Sequence, residues 1–272
     1  MTKEDLIAYK KQLAELSDKE KKLRDLELRK YATGELQGPP VGYASIDKPW
    51  LKYYNHDIEN SDVKDESMYQ FVKRSNISNL HKPAIELRTS SNNFDKGFTI
   101  TYKDFFDKVE KTASALKQMG VKPNEIVATI LPNIPESRIL IYALNMIGAT
   151  VYPLNFMLPA KNVEQIINDN NIKHTFVFDA FYSKYEKTLN ESNVQNIIYL
   201  DGKESLPTPL RILLNVTGKK TKLPNSKKVM SYFDFLKKAK KEKIVPYYDP
   251  EHVAVIVGTS GTTGIPKGVC LT

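Results

Sequence analysis

From residue 125 to residue 200 the chain alternates short apolar runs with helical runs of about ten residues or more, an order that only a few folds accept. The apolar runs are "EIVATIL", "ATVYPL", "HTFVFD" and "NIIYL"; between them lie "PESRILIYALNMIG", "AKNVEQIINDNN" and "FYSKYEKTL", and ahead of them "PAIEL" reads as a strand and "FTITYKDFFDKVEKTASALKQMG" as a strand end followed by a helix. Strands joined through a helix cannot pair as hairpins, so they must lie parallel with the helices covering both faces. The fold class is therefore α/β, a mostly parallel sheet flanked by helices. In the helix that follows "FTITY", Phe105, Val109, Thr112 and Leu116 share one face, Thr101 is placed to cap the start and Gly120 to end it.

The chain has 272 residues, of which 41% are hydrophobic, enough for a real core. The longest apolar stretch near the middle, residues 139–154, is too short to span a bilayer and reads as core. The first residues, "MTKEDLIAYKKQLAEL", mix charges with single leucines and lack the apolar run of a secretory signal. Cys270 is the only cysteine, so no intrachain disulfide can form, and a cytoplasmic location is expected.

Three parts are expected. Residues 1–37 form a charged helix with Leu6, Leu13, Leu16, Leu23 and Leu26 on one side and Gly34 at its end; residues 38–67 form an aromatic arm docking through Trp50, Tyr53 and Tyr54; residues 68–272 form the α/β body.

The net charge is +8, and its distribution says more than its size. Residues 203–243 hold twelve lysines and arginines against three acids, and the rest of the chain is nearly balanced. The segment reads as loops with two Lys-Lys pairs and then a short amphipathic helix ending in "KKAKKEK". Its aromatics, Tyr232, Phe233 and Phe235, lie on that helix and are not interleaved with the basic loops, which argues against nucleic acid. A solvated lysine-rich surface is the plain reading, and weak peripheral attraction to an anionic membrane is the sharper one.

"EHVAVIV" reads as a strand buried on both faces, and it runs into "GTSGTTGIPKG". Glycines in such a loop let backbone N–H groups approach an anion, Ser260, Thr262 and Thr263 add hydroxyls, and Lys267 adds a mobile charge. The spacing is neither a Walker A loop nor GxGxxG. The four histidines, His56, His81, His174 and His252, are scattered without partners at metal-ligand spacing, so no metal site is expected from them. His252 reads as a surface or strand-end residue and Cys270 as a small core residue.

The run "TSGTTGIPKGV", residues 259–269, resembles the phosphate-binding signature of the adenylate-forming (AMP-binding) superfamily. The upstream segments "LPNIPE" and "ALNMIGA" resemble the first subdomain of that family, and "GPPVGYASIDKPWLKYY" resembles the arm of bacterial acyl-CoA synthetases of the fatty-acid ligase type. The resemblance implies the N-terminal part of a ligase that activates a carboxylic, expectedly fatty, acid with ATP to an acyl adenylate and passes it to CoA. It implies Thr259, Ser260, Gly261, Thr262, Thr263, Gly264 and Lys267 as phosphate contacts, with ATP, Mg2+ and CoA as co-reactants. The family's segments for adenine, ribose and Mg2+, its hinge and its catalytic lysine follow the loop. The chain is accordingly expected to be the leading part of a longer ligase, inactive alone, its second half supplied in cis or trans; the alternative is a non-catalytic remnant binding nucleotide phosphate weakly. No catalytic residue is assigned.

Overall fold

A computed structural model describes residues 64–88, 97–203, 223–259 and 267–272. The chain divides into two compact units, Met1–Lys64 and Asp65–Thr272, and the second carries the fold described below. The expected leucine helix and most of the aromatic arm lie outside the described residues.

The second unit opens with helix α1 (Met68–Ser75), started by a capping box in which Ser67 and Gln70 satisfy each other's backbone N–H groups. A hairpin follows, β1 (Pro83–Arg88) against β2 (Gly97–Thr101). This antiparallel pair, the strands read from "PAIEL" and "FTITY", forms a small sheet of its own. Helix α2 (Tyr102–Gln118) is capped by Thr101, whose hydroxyl oxygen accepts from Asp104 N at 3.2 Å, and the chain leaves it through Gly120 at φ +95°.

The main sheet is built from β3 (Ile126–Ile130), β4 (Thr150–Pro153), β5 (His174–Phe178), β6 (Asn196–Leu200), β7 (Val229–Ser231), β8 (Val255–Gly258) and β9 (Gly268–Leu271). Its order is β7-β6-β5-β3-β4-β8-β9, and every neighbouring pair is parallel except β8 with β9. The crossovers are α3 (Pro135–Met146), α4 (Ala160–Asp169) and α5 (Asp179–Glu191), and the short α6 (Tyr232–Lys237) follows β7. The alternation in the sequence is thus realised as a parallel sheet.

Period-two strands send alternate residues to opposite faces. Val127, Val151, Phe176 and Ile198 pack with Phe106, Val109 and Leu116 of α2, Leu140 and Leu144 of α3 and Phe235 of α6. Ala128, Tyr152, Val177 and Ile197 point the other way, onto Val163 and Ile167 of α4 and Tyr185 and Leu189 of α5. Each fully buried leucine or isoleucine contributes about 2–3 kcal/mol through area removed from water. The expected face of α2 is the observed one, with Phe105, Val109, Thr112 and Leu116 all buried. Helix α6 is shorter than the sequence suggested: it stops at Lys237, and "KAKKEK" runs on without helical structure.

Candidate functional site

Strand β8 points the same way as β4, so the residues after Gly258 emerge at the carboxyl edge of the parallel sheet. That edge is where open α/β sheets receive ligands. The chain turns there and returns as β9, pairing Gly258 with Gly268 and Ile256 with Cys270. The glycine-rich loop is therefore the tip of a β-hairpin.

Thr259 and Lys267 close the mouth of the loop. Thr259 N donates to the Lys267 carbonyl at 2.9 Å, and Thr259 Oγ1 donates to the same oxygen at 3.2 Å. The fold thereby brings together two of the seven residues expected to touch phosphate, and both are exposed. Ser260, Gly261, Thr262, Thr263 and Gly264 lie outside the described residues. Both donors of Thr259 are thus spent on one carbonyl, and Lys267, which supplies it, keeps its ammonium at the exposed surface.

Beneath the hairpin lies a residue that the loop's composition does not point to. A Cβ on Gly268 would stand 2.7 Å from Ile256 Cγ2 and 3.2 Å from the Tyr152 hydroxyl oxygen, so only glycine lets β9 sit this close. Tyr152 itself is 3% exposed, and burial pushes its phenol pKa up. A large residue in "ATVYPL" facing the same side as Val177 and Ile197 is the signal that places Tyr152 under the sheet.

At the other end of β8 the chain is tied down by polar contacts. Thr150 Oγ1 donates to the Val253 carbonyl at 2.6 Å, Tyr247 N donates to Met146 O at 3.0 Å, and Asn124 N donates to Gly148 O at 2.7 Å. His252 is 7% exposed, with Nδ1 3.0 Å from Asn124 Oδ1 and its ring edge-to-face with Tyr247. Nδ1 and the Asn124 amide are thus hydrogen-bonded, and Nε2 is buried without a hydrogen-bond partner among the described residues. Burial holds the imidazole pKa below its ordinary value, against smaller opposing effects of the Ala149 carbonyl and Asp249. The strand-end position of His252 matches the sequence reading, but its burial does not: the fold packs it beneath Tyr247.

Two further expectations are corrected here. Strand β8 is not buried on both faces, since Val257 is 44% exposed and only Ile256 is buried. Cys270 is exposed, not in the core, because β9 is the last strand of the described sheet and all four of its residues face solvent.

Among the described residues no group of three or more His, Cys, Asp or Glu could hold a metal ion, and no helix is long and apolar enough to cross a membrane.

A mostly parallel sheet with helices on both faces and a glycine- and threonine-rich segment leaving its carboxyl edge is an open α/β domain. The chain belongs to the AMP-binding enzyme family, which matches residues 77–272. A long-chain-fatty-acid–CoA ligase of Bacillus subtilis (strain 168) is 29% identical over 231 residues, covering 83% of this chain and 40% of that protein. Acetyl-coenzyme A synthetase 2 of Saccharomyces cerevisiae is 29% identical over 235 residues, 84% of this chain and 33% of that one. The crystal structure of the anthranilate CoA ligase AuaEII in complex with anthranoyl-AMP superposes with a TM-score of 0.59 at 17% identity over 77% of this chain and 35% of that one, a likeness of fold. The chain thus spans well under half the length of these relatives, an extent that fits an N-terminal portion of such a ligase.

Proposed function

We propose that this chain supplies the phosphate-gripping part of an AMP-forming acyl-CoA ligase. The observation that carries the reading is the hairpin loop of residues 259–267, bearing the family's signature at the carboxyl edge of the parallel sheet with its mouth closed by Thr259 and Lys267. In the reaction proposed, a carboxylate oxygen attacks the α-phosphorus of ATP. A new bond forms between that oxygen and phosphorus, the bond to the bridging oxygen breaks, and pyrophosphate leaves with the electron pair. The CoA thiol then attacks the acyl carbonyl, losing its proton, and AMP leaves.

The first step gathers charge on the departing pyrophosphate, so donors fixed in place beforehand lower its barrier most. Backbone N–H groups and the hydroxyls of Ser260, Thr262 and Thr263 would hold the β- and γ-phosphates, and Lys267 would balance charge. Gly261 and Gly264 keep the loop free of Cβ atoms that would hold phosphate away. Mg2+, when bound, would supply further neutralisation of the phosphates; the residues that hold it in the family follow the loop.

A fatty acid is the proposed substrate, supported by the likeness to the Bacillus subtilis ligase over most of this chain and by the arm "SIDKPWLKYY". A second reading has the chain as a half that needs a complementary partner, or as a remnant binding nucleotide phosphate weakly; its support is the limited share of the relatives that the chain covers. Pyrophosphate exchange into ATP, dependent on a long-chain fatty acid, separates them. Exchange by the chain joined to, or mixed with, the remaining part of a ligase supports the first. Failure in every such combination, with nucleotide binding retained, supports the remnant. A cytoplasmic location accords with the reading and would be checked by fractionation.

A further inference from the structure

We propose that the face formed by α2 and residues 233–241 docks on an anionic lipid bilayer, with Phe233 entering the headgroup layer and the surrounding lysines meeting lipid phosphates. Charge in the sequence points only to the stretch 203–243; the fold adds a second source. Ser114 Oγ accepts from Lys240 N at 2.9 Å and donates to Lys240 O at 3.0 Å, and Gln118 Nε2 donates to Glu242 Oε1 at 3.1 Å. The segment after α6 therefore runs alongside α2. Lys108 and Lys111 of α2 line one cleft with Lys237, while Lys238, Lys240 and Lys241 belong to the segment that runs beside α2, and all six are exposed.

The acids on this side are largely spoken for. Asp107 pairs with Lys103 at 2.7 Å, Asp234 with Lys237 at 2.8 Å, and Glu110 with Lys73. Among the described residues Lys108, Lys111, Lys238, Lys240 and Lys241 make no ion pair, and against them Glu242, bonded to Gln118, is the remaining acid of the segment, so lysines outnumber acids on this side.

The second observation is apolar. Tyr232 and Phe235 are buried at 4% and 0%, yet Phe233 between them is 51% exposed. Lys237 Nζ stands 4.2 Å from the centre of its ring. A cleft of about 160 Å3 opens beside it where α2, α3 and α6 meet, with Lys108, Lys111 and Lys237 together with Phe233 and Leu236 around it and Thr112 and the buried Glu136 deeper in. An aromatic ring standing out among lysines suits a surface that is both anionic and penetrable, which is the outer layer of a bilayer. Each lysine near such a surface strengthens partitioning about fivefold and is screened by salt. Among the described residues no helix crosses the membrane, so the contact is peripheral.

The test is co-sedimentation of the 272-residue chain with vesicles of phosphatidylcholine alone or with phosphatidylglycerol added. The expected result is binding to the anionic vesicles only, released by high salt. Lys238→Gln with Lys241→Gln should weaken it about 30-fold, and Phe233→Ala several-fold. Lys161→Gln with Lys187→Gln, the same charge change on α4 and α5 over the opposite face of the sheet, should leave it unaltered. Absence of binding to anionic vesicles at low salt overturns the proposal, as does equal binding to neutral ones. So does a loss in the opposite-face pair as large as in the first pair. Competition by an RNA oligonucleotide, with Phe233→Ala indistinguishable from the parent, would mark a general polyanion surface and overturn the bilayer.

Discussion

Burial of His252 disfavours its protonated form, and the sign of its effect on stability follows. Its folded pKa lies below the ordinary value of 6.5, so between the two the unfolded chain binds more protons than the folded one. The stabilisation is complete above about pH 6.5 and is lost as the pH falls through the unfolded value toward the folded one. His174, 4% exposed and also pushed down by burial, acts in the same direction. Thermal unfolding should therefore show a midpoint that falls as the pH is lowered from neutrality through the histidine range. In His252→Asn that slope should be shallower, and an equal slope in parent and variant would remove His252 from the account. Gly268→Ala places a methyl 2.7 Å from Ile256 Cγ2, and a loss of about 1–3 kcal/mol is expected in chemical unfolding, as for an overpacked core. Restoring room with Ile256→Val should recover part of it.

Helix α2 shows what an element's own sequence can specify. Its cap, its buried face and its glycine exit were all legible, because each depends on residues within one or two turns. Thr101→Ala removes the acceptor for Asp104 N and should cost about 1 kcal/mol, read from the denaturant midpoint at unchanged m-value. Elements set by distant partners were less legible. The stretch "KAKKEK" has the composition of a helix end, yet Lys240 exchanges two hydrogen bonds with Ser114 of α2, and those long-range bonds accompany the release of the helix at Lys237. The apolar run of β8 suggested burial on both faces, but its place beside β9, at the side of the sheet, leaves Val257 in solvent. The same circumstance explains Cys270: a small apolar-looking residue in a strand is buried only where a layer covers that strand. The strands β1 and β2 were legible as apolar runs but their pairing was not, since a strand preceding a helix has the same local pattern whether it pairs with its neighbour or enters a larger sheet.

At the scale of the whole molecule, the sheet and the candidate site differ in how they were encoded. The parallel sheet was readable because alternation leaves little choice of topology. The site was readable as a composition of glycine, serine, threonine and lysine, but its setting was not. That its ends meet through Thr259 on the Lys267 carbonyl, with Gly268 of β9 close over Tyr152, depends on the pairing of β8 with β9 and of β4 with β8. In a complete ligase assembled around this part, Gly264→Val should abolish most acid-dependent pyrophosphate exchange by excluding phosphate. Lys267→Ala should reduce it about tenfold or more through lost charge stabilisation. If neither variant changes exchange, the loop does not hold phosphate.

The proposed grip of residues 259–267 on the phosphates of ATP can be tested on this chain without asking for turnover. Tripolyphosphate titrated into the 15N-labelled 272-residue chain should shift the backbone amide signals of residues 259–268 in a saturable way. The shifts should disappear in Gly264→Val and shrink in Lys267→Ala. Amides of the loop that stay in place while those of another region move, or that respond equally in both variants, would contradict it.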